Sequence, residues 1–374
     1  MRKHVWISVA VVGLLAAAAG AQPSFSTDLQ GPLSVPWGGP LSGADILVPT
    51  PPAPGPGPLP IPTVAITEAM LGIGAGMSIA AEVDALSYGK DLRNMPILFS
   101  VDEFAVGIVG TPLPPAVWTE GAMPGVGALE ASADVFRFLG PPVGPIPPGP
   151  IMGNTAFYDG NGFAPSGMPG LGFIEPNPPT STPTPDLGDN LDALCMSPPS
   201  FPVYFSMDSA FADPLEPGGY NTGTAILNGF VGGDVVLTAV AGGPAMMYAP
   251  AAMLGLDIFG PDTDDLDALI LFEDGDMEFT AADFLLFSVR RGSAIIGTPD
   301  SIFGALIEEG DILIPTGPGL PPGIWIAAEA LGLATVRSGM AVQFGDDLDA
   351  LAVVPEPITL TLLGLGGLAL LRRR

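Results

Sequence analysis

The chain has 374 residues, 39 acidic and 11 basic, for a formal net charge of −28. Between Gln22 and Val354 the balance is 38 acidic against six basic residues, or −32, a surface that repels nucleic acid and anionic headgroups and attracts divalent cations or basic partners. Cys195 is the single cysteine and His4 the single histidine; an intramolecular disulfide is excluded, and once His4 leaves with a cleavable leader so are Ser-His-Asp, Cys-His and imidazole-zinc chemistry.

The first predicted element is that leader. Arg2 and Lys3 precede an apolar run from Val5 to Ala18 and the triplet Ala19-Gly20-Ala21, the pattern of a secretory signal peptide over residues 1–21 with cleavage before Gln22. The rest of the chain is expected to be exported, with charge repulsion keeping an apolar content of 48% in solution.

Residues 22–353 read as one repeat domain. Glycine (51) and proline (45) make up about a quarter of the chain, a share that without a period suggests disorder. Here a period exists. Phe-Ser-x-Asp stands at Phe25, Phe99 and Phe205, and as Phe-Ser-Val-Arg at Phe287. A small residue and an aspartate then open a β-branched run at Ala44, Ala133, Gly233 and Gly310. Leu-Gly follows at Leu71, Leu171, Leu254 and Leu331, and Val/Leu-Asp-Ala-Leu at Val83, Leu191, Leu266 and Leu348. Short β-branched or aromatic phrases bounded by Gly, Pro and Asp predict strands. The fold class is all-β, with four units of about four strands each.

The phase of the repeat predicts closure. The domain opens on Phe-Ser and finishes on Leu-Asp-Ala-Leu, although within the chain Leu-Asp-Ala-Leu is followed by Phe-Ser. Pairing the last phrase with the first closes a ring without an open edge, so a small four-bladed propeller-like ring is expected, with the strand around Leu348 to Val353 beside that around Phe25. A linear β-solenoid is the second reading, for which the units are long and unequal. Pro-rich inserts from Val48, Leu139 and Ile314 follow the same strand in three units, with the segment from Ala239 in the equivalent place of the fourth; in a ring they project from one face. A further Pro-rich tract from Glu175 reads as a loop able to carry glycans, and Cys195 as a small buried residue.

Asp84, Asp192, Asp267 and Asp349 share one repeat position, each with a carboxylate or amide two residues earlier. Aspartates at strand entrances commonly cap turn amides, which alone explains the repetition; Asp267 and Asp349 are assigned that role. Weak calcium binding is the second reading, with Asp264, Asp265, Asp346 and Asp347 as ligands, because close oxygen donors suit calcium and an extracellular site tolerates low affinity. The spacing is not that of an EF-hand. Paired-carboxylate catalysis comes third, since no pair stands out as acid and base; no catalytic residue is assigned.

Residues 354–374 form a separate module: Val-Pro-Glu-Pro, an apolar stretch from Ile358 to Leu371, and Arg372-Arg373-Arg374. This tail resembles the PEP-CTERM sorting signal of exported bacterial proteins, with Pro355, Glu356 and Pro357 as its motif. The resemblance implies an exosortase as partner, transient anchoring in the inner membrane, cutting near the motif, and a place at the cell surface or in the matrix, often beside exopolysaccharide. The apolar stretch is expected to form a C-terminal transmembrane helix. Its 14 residues rise about 21 Å against a hydrocarbon core of roughly 30 Å, a gap that snorkelling arginines narrow. Arg372, Arg373 and Arg374 fix the carboxyl end on the cytoplasmic side. The expected function is an exported structural or binding protein, not an enzyme. The alternative is a secreted polysaccharide hydrolase working through carboxylates, which clustered aromatics beside acid pairs would favour.

Overall fold

A computed structural model of the chain describes residues 22–28, 30–34, 38–50, 60–73, 82–88, 97–102, 105, 107–108, 116–120, 131–140, 153–162, 168–173, 189–197, 200–208, 214 and 224–354. The predicted leader, the Glu175 tract and the tail beyond Val354, with its expected transmembrane helix, lie outside these residues.

The described strands, in chain order, are β1 (Gln22–Ser26), β2 (Ile46–Val48) and β3 (Thr63–Ile66), followed by β4 (Ala85–Ser87), β5 (Leu98–Ser100), β6 (Val135–Phe138) and β7 (Asn154–Tyr158). Next come β8 (Ala193–Ser197), β9 (Ser200–Ser206), β10 (Val235–Thr238) and β11 (Ala245–Ala249). The series ends with β12 (Ala268–Phe272), β13 (Phe284–Ser288), β14 (Ile312–Ile314), β15 (Gly323–Ile326) and β16 (Ala350–Val354). They form four antiparallel four-stranded sheets, ordered β16-β1-β2-β3, β4-β5-β6-β7, β8-β9-β10-β11 and β12-β13-β14-β15. The last strand completes the first sheet, with Phe25 opposite Leu351 and Ser26 opposite Ala350. This is the closure that the phase of the repeat predicted. The innermost strands β4, β8, β12 and β16 touch one another around a common axis, and the arrangement is a four-bladed, propeller-like ring.

Burial explains why the phrases repeat. Four apolar cores fill the four seams between successive blades, and the repeated phenylalanine stands in each: Phe99 between the first and second blades, Phe205 between the second and third, Phe287 between the third and fourth, and Phe25 between the fourth and first. All four rings are fully buried. The following serine ties blade to blade. Ser26, Ser206 and Ser288 donate to the carbonyls of Val83, Leu266 and Leu348, which belong to the next blade, at 2.6, 2.6 and 2.7 Å. Ser100 departs from this by donating to Ser132 at 3.1 Å.

The Leu-Gly phrases correct the strand expectation. Three of them end short helices: α1 (Glu68–Leu71), α4 (Ala251–Leu254) and α5 (Ala328–Leu331), with α2 (Ala116–Glu120) and α3 (Thr224–Asn228) elsewhere in the described chain. Gly72, Gly255 and Gly332 close α1, α4 and α5 in the left-handed conformation that glycine adopts without penalty. A Cβ on Gly255 would also stand 2.2 Å from Leu320 O, and one on Gly332 2.5 Å from Pro60 O. Glycine is therefore required twice over, for the turn and for the approach of the next blade's loop. Those loops are the Pro-rich inserts, which join the third and fourth strands of each blade. Among the described residues no helix is long and apolar enough to cross a membrane.

Candidate functional site

Two sets of aspartates repeat around the ring, and their surroundings differ. The first opens the third strand of each blade. Asp45 accepts hydrogen bonds from Glu68 N at 2.9 Å and Ser42 N at 3.3 Å. Asp234 accepts from Ala251 N and Val231 N at 2.8 and 3.0 Å, and Asp311 from Ala328 N and Glu308 N at the same two distances. In each case one donor is the first amide of α1, α4 or α5. Pro250 and Ala327 stand at the N-caps of α4 and α5 and provide no side-chain cap, so an aspartate from the strand performs the capping instead. Asp134 accepts from Gly160 N at 2.9 Å in the second blade.

The second set stands at the entrances of the inner strands. Asp84, Asp192, Asp267 and Asp349 immediately precede β4, β8, β12 and β16, so the ring gathers them at one end of the axis. Asp84, Asp192 and Asp267 retain 9%, 7% and 5% exposure, and one carboxylate oxygen of each, Oδ2, is buried without a hydrogen-bond donor. Burial first, and neighbouring carboxylates second, push all three well above the usual carboxylate range. Asn190 directs its side-chain amide to Asp84, leaving its own Oδ1 buried and unbonded.

The calcium candidates divide between these two environments. Asp264 accepts from Ile295 N at 2.9 Å and Asp257 N at 2.6 Å. Asp346 accepts from Leu33 N at 2.8 Å and Ala334 N at 2.7 Å, bridging the first and fourth blades. Both therefore staple backbone. Burial raises Asp264, and raises Asp346 to about 6, against the pull of these amides. Asp265 and Asp347 join the axial group while also accepting backbone amides, Asp265 from Leu266 N at 3.0 Å and Asp347 from Leu348 N at 3.0 Å and Arg291 N at 2.6 Å. Oxygens of Asp267, Asp347 and Asp349 lie within 4.8 Å of one another, as do those of Asp192, Asp208 and Asp265. Relative to the sequence reading, all four calcium candidates accept backbone amides, whereas Asp267, read there as a cap, faces other carboxylates.

Sequence reasoning missed Asp208 and Arg290, the fourth residues of two Phe-Ser phrases. Asp28, Asp102 and Asp208 hold this place in three units and Arg290 in the remaining one. Arg290 Nη1 bonds Asp208 and stands 3.5 Å from Asp265 Oδ2. Burial opposes its charge, but Asp208, Asp265, Asp192 and Asp267 outweigh that and raise its pKa. The signal was the one basic exception in an acidic repeat. Arg291, beside it, is fully buried and pairs with Asp28.

Behind the aspartates the axis is apolar. Leu86, Leu194, Leu269 and Leu351 help line a cavity of about 40 Å³, room for only a few waters. Cys195 lies there half-buried, its thiol 3.4 Å from Leu271 O. A third acidic group, Glu273, Asp274 and Asp283, stands at the β12–β13 hairpin. It binds that turn's amides: Glu273 accepts from Gly275 N and Met277 N, and Asp283 from Asp274 N and Thr280 N. The axial mouth is thus a cup of hard oxygen donors with one internal guanidinium, suited to holding cations or shared protons.

Pro355, Glu356, Pro357, Arg372, Arg373 and Arg374 lie outside the described residues. No curated protein and no solved structure matches the chain. The model of the PEP-CTERM protein-sorting motif matches residues 353–374. The strand that closes the ring therefore runs directly into a PEP-CTERM sorting motif, which marks the chain as an exported protein sorted by an exosortase and anchored through its C-terminal tail before processing.

Proposed function

We propose that the chain is a non-enzymatic structural or binding component of the cell envelope or extracellular matrix, exported by its signal peptide and released from the inner membrane by an exosortase. The observation that carries this reading is the junction at the end of the ring. β16 ends at Val354 and the sorting motif spans residues 353–374, so Pro355 to Pro357 follow the closing strand without a linker. A cut near the motif leaves the ring whole. β16 also runs from the acidic mouth at Asp349 to Val354, so the mouth and the last described residue before the motif's Pro355 stand at opposite ends of the closing strand. Employment of the rim aspartates as backbone staples supports a structural role. Exopolysaccharide or another envelope component is the partner this reading implies.

One observation favours the hydrolase alternative. Tyr204, Tyr248 and Phe279 cluster near Glu273 and Asp283, and Phe279 and Asp283 help line a pocket of about 340 Å³. Tyr204 and Tyr248 are buried and meet edge to face, however, so they serve packing and offer no open ring face to a sugar.

Replacing Pro355 and Glu356 together by alanine tests the main reading. Mass spectrometry of the native protein should find the wild-type carboxyl end shortened near the motif, and the variant retained in the membrane with Arg374 intact. Identical processing of the two would overturn the assignment.

A further inference from the structure

We propose that the axial mouth binds one divalent cation of the calcium class between Asp267, Asp347 and Asp349, at the seam where the fourth blade meets the closing strand. Calcium–oxygen distances of 2.3–2.6 Å let two oxygens on one ion stand up to about 5 Å apart, whereas magnesium at 2.0–2.1 Å allows about 4.2 Å. The three carboxylates, with oxygens within 4.8 Å of one another, are spaced on the scale of the larger ion's shell and need at most a small inward shift to share it.

Acid clusters without ions are common, so proximity alone decides nothing. The second observation is an unmet acceptor within the group. Asp267 Oδ2 is buried with no donor, on a residue 5% exposed, and a buried acceptor left unbonded is costly. The third observation is asymmetry. Arg290 bonds Asp208 and stands 3.5 Å from Asp265; its charge also reaches Asp192 and Asp267, but the largest electrostatic effects on Asp267 come from the carboxylates Asp347, Asp265 and Asp349.

Asp267 belongs to the fourth blade, while Asp347 and Asp349 belong to the segment that closes the ring. An ion between them would brace closure once the chain is outside the cell. That last clause rests on the export reading; the binding site does not.

Equilibrium dialysis and thermal melts of the full chain in detergent, in calcium, magnesium and sodium at matched ionic strength, test the proposal. One calcium should bind per chain and raise the melting temperature, with magnesium clearly weaker. Asp267→Asn should lower calcium affinity on the order of tenfold or more, given that even outer-shell partners are worth that much. In chelator the same variant should melt no lower than wild type, because it removes one of several like charges. Asp274→Asn, in the hairpin cluster, should leave calcium binding unchanged. A response matched by sodium would mean screening only, and binding that survives Asp267→Asn or is lost in Asp274→Asn would place the ion elsewhere; each result overturns the proposal. Should Asp267→Asn fail to fold, Asp349→Asn takes its place, and failure of both to fold in chelator would show that these carboxylates are structural caps and also overturn it. Sorting plays no part in these measurements, so the site stands or falls independently of the processing experiment.

Discussion

Asp311 at the rim and Asp267 at the mouth are both buried aspartates opening a strand, at 0% and 5% exposure. Asp311 accepts two backbone amides and is also gripped by Arg337, whose Nη1 and Nη2 reach its two oxygens at 2.9 and 2.7 Å. Asp267 keeps an oxygen with no donor and has carboxylates as its strongest neighbours. The difference lies in what the backbone presents. At the rim a turn and a helix start each point a free amide at the side chain, the situation a carboxylate satisfies best. At the mouth four inner strands converge, and the nearest polar groups belong to the neighbouring repeats. One residue type, repeated with one period, therefore fastens the ring at its edge and charges it at its centre.

Removing both environments together should have the largest effect. Deleting residues 345–354 takes away β16, the Asp346 bridge between Leu33 and Ala334, and the axial Asp347 and Asp349. It also opens the core that Leu348 and Leu351 share with Phe25 and leaves β1 as a bare edge. The truncated chain is expected to lose its cooperative thermal transition by circular dichroism, and a transition like that of the intact protein would mean the ring does not depend on closure. Next in size is Asp311→Ala, which orphans two amides and takes one of two carboxylate partners from Arg337, which keeps Glu329, and should cost about 3 kcal/mol. Asp234→Ala breaks the same staple without an arginine and should cost about 2 kcal/mol. Urea midpoints measure both, and equal losses would show that Arg337 adds nothing to the rim.

Much of this was legible in the sequence. The ring could be read because Phe25, Phe99, Phe205 and Phe287 recur with the serines that tie the blades, and because the order of phrases required the ends to meet. The Leu-Gly phrases were misread as strands because Gly72, Gly255 and Gly332 mark helix ends only four residues from the helix starts, too short a span for a helical period to appear. The roles of the aspartates were not legible, since whether Asp264 or Asp267 meets an amide depends on the approach of Ile295 and Asp257 from other turns. Arg290 was visible as an exception, but its task required knowing that Asp208 and Asp265 converge on it.

The smallest expected effect separates two staples at the rim by their response to pH. Burial pushes Asp45 up to about 6 despite its amide bonds from Glu68 and Ser42. Burial likewise works against ionised Asp300, but there the amides of Phe303, Ile302, Ala305 and Ile324 prevail and its pKa is lowered. Folded Asp45 thus holds a proton more tightly than the unfolded chain does, so its contribution is full below the ordinary aspartate value of 3.8 and is lost as pH rises through about 6. Asp300 behaves in the opposite sense: its contribution is present above the ordinary value and is lost as pH falls through the depressed one. General repulsion among the many acidic groups changes with pH in every variant and cancels when each is compared with wild type. From pH 4 to pH 7, Asp45→Asn should therefore gain on wild type in urea midpoint while Asp300→Asn keeps a nearly constant deficit, and that deficit should shrink only as pH falls below 4. Parallel slopes in the two comparisons would mean that overall charge, and not the number of amides each carboxylate receives, governs the rim.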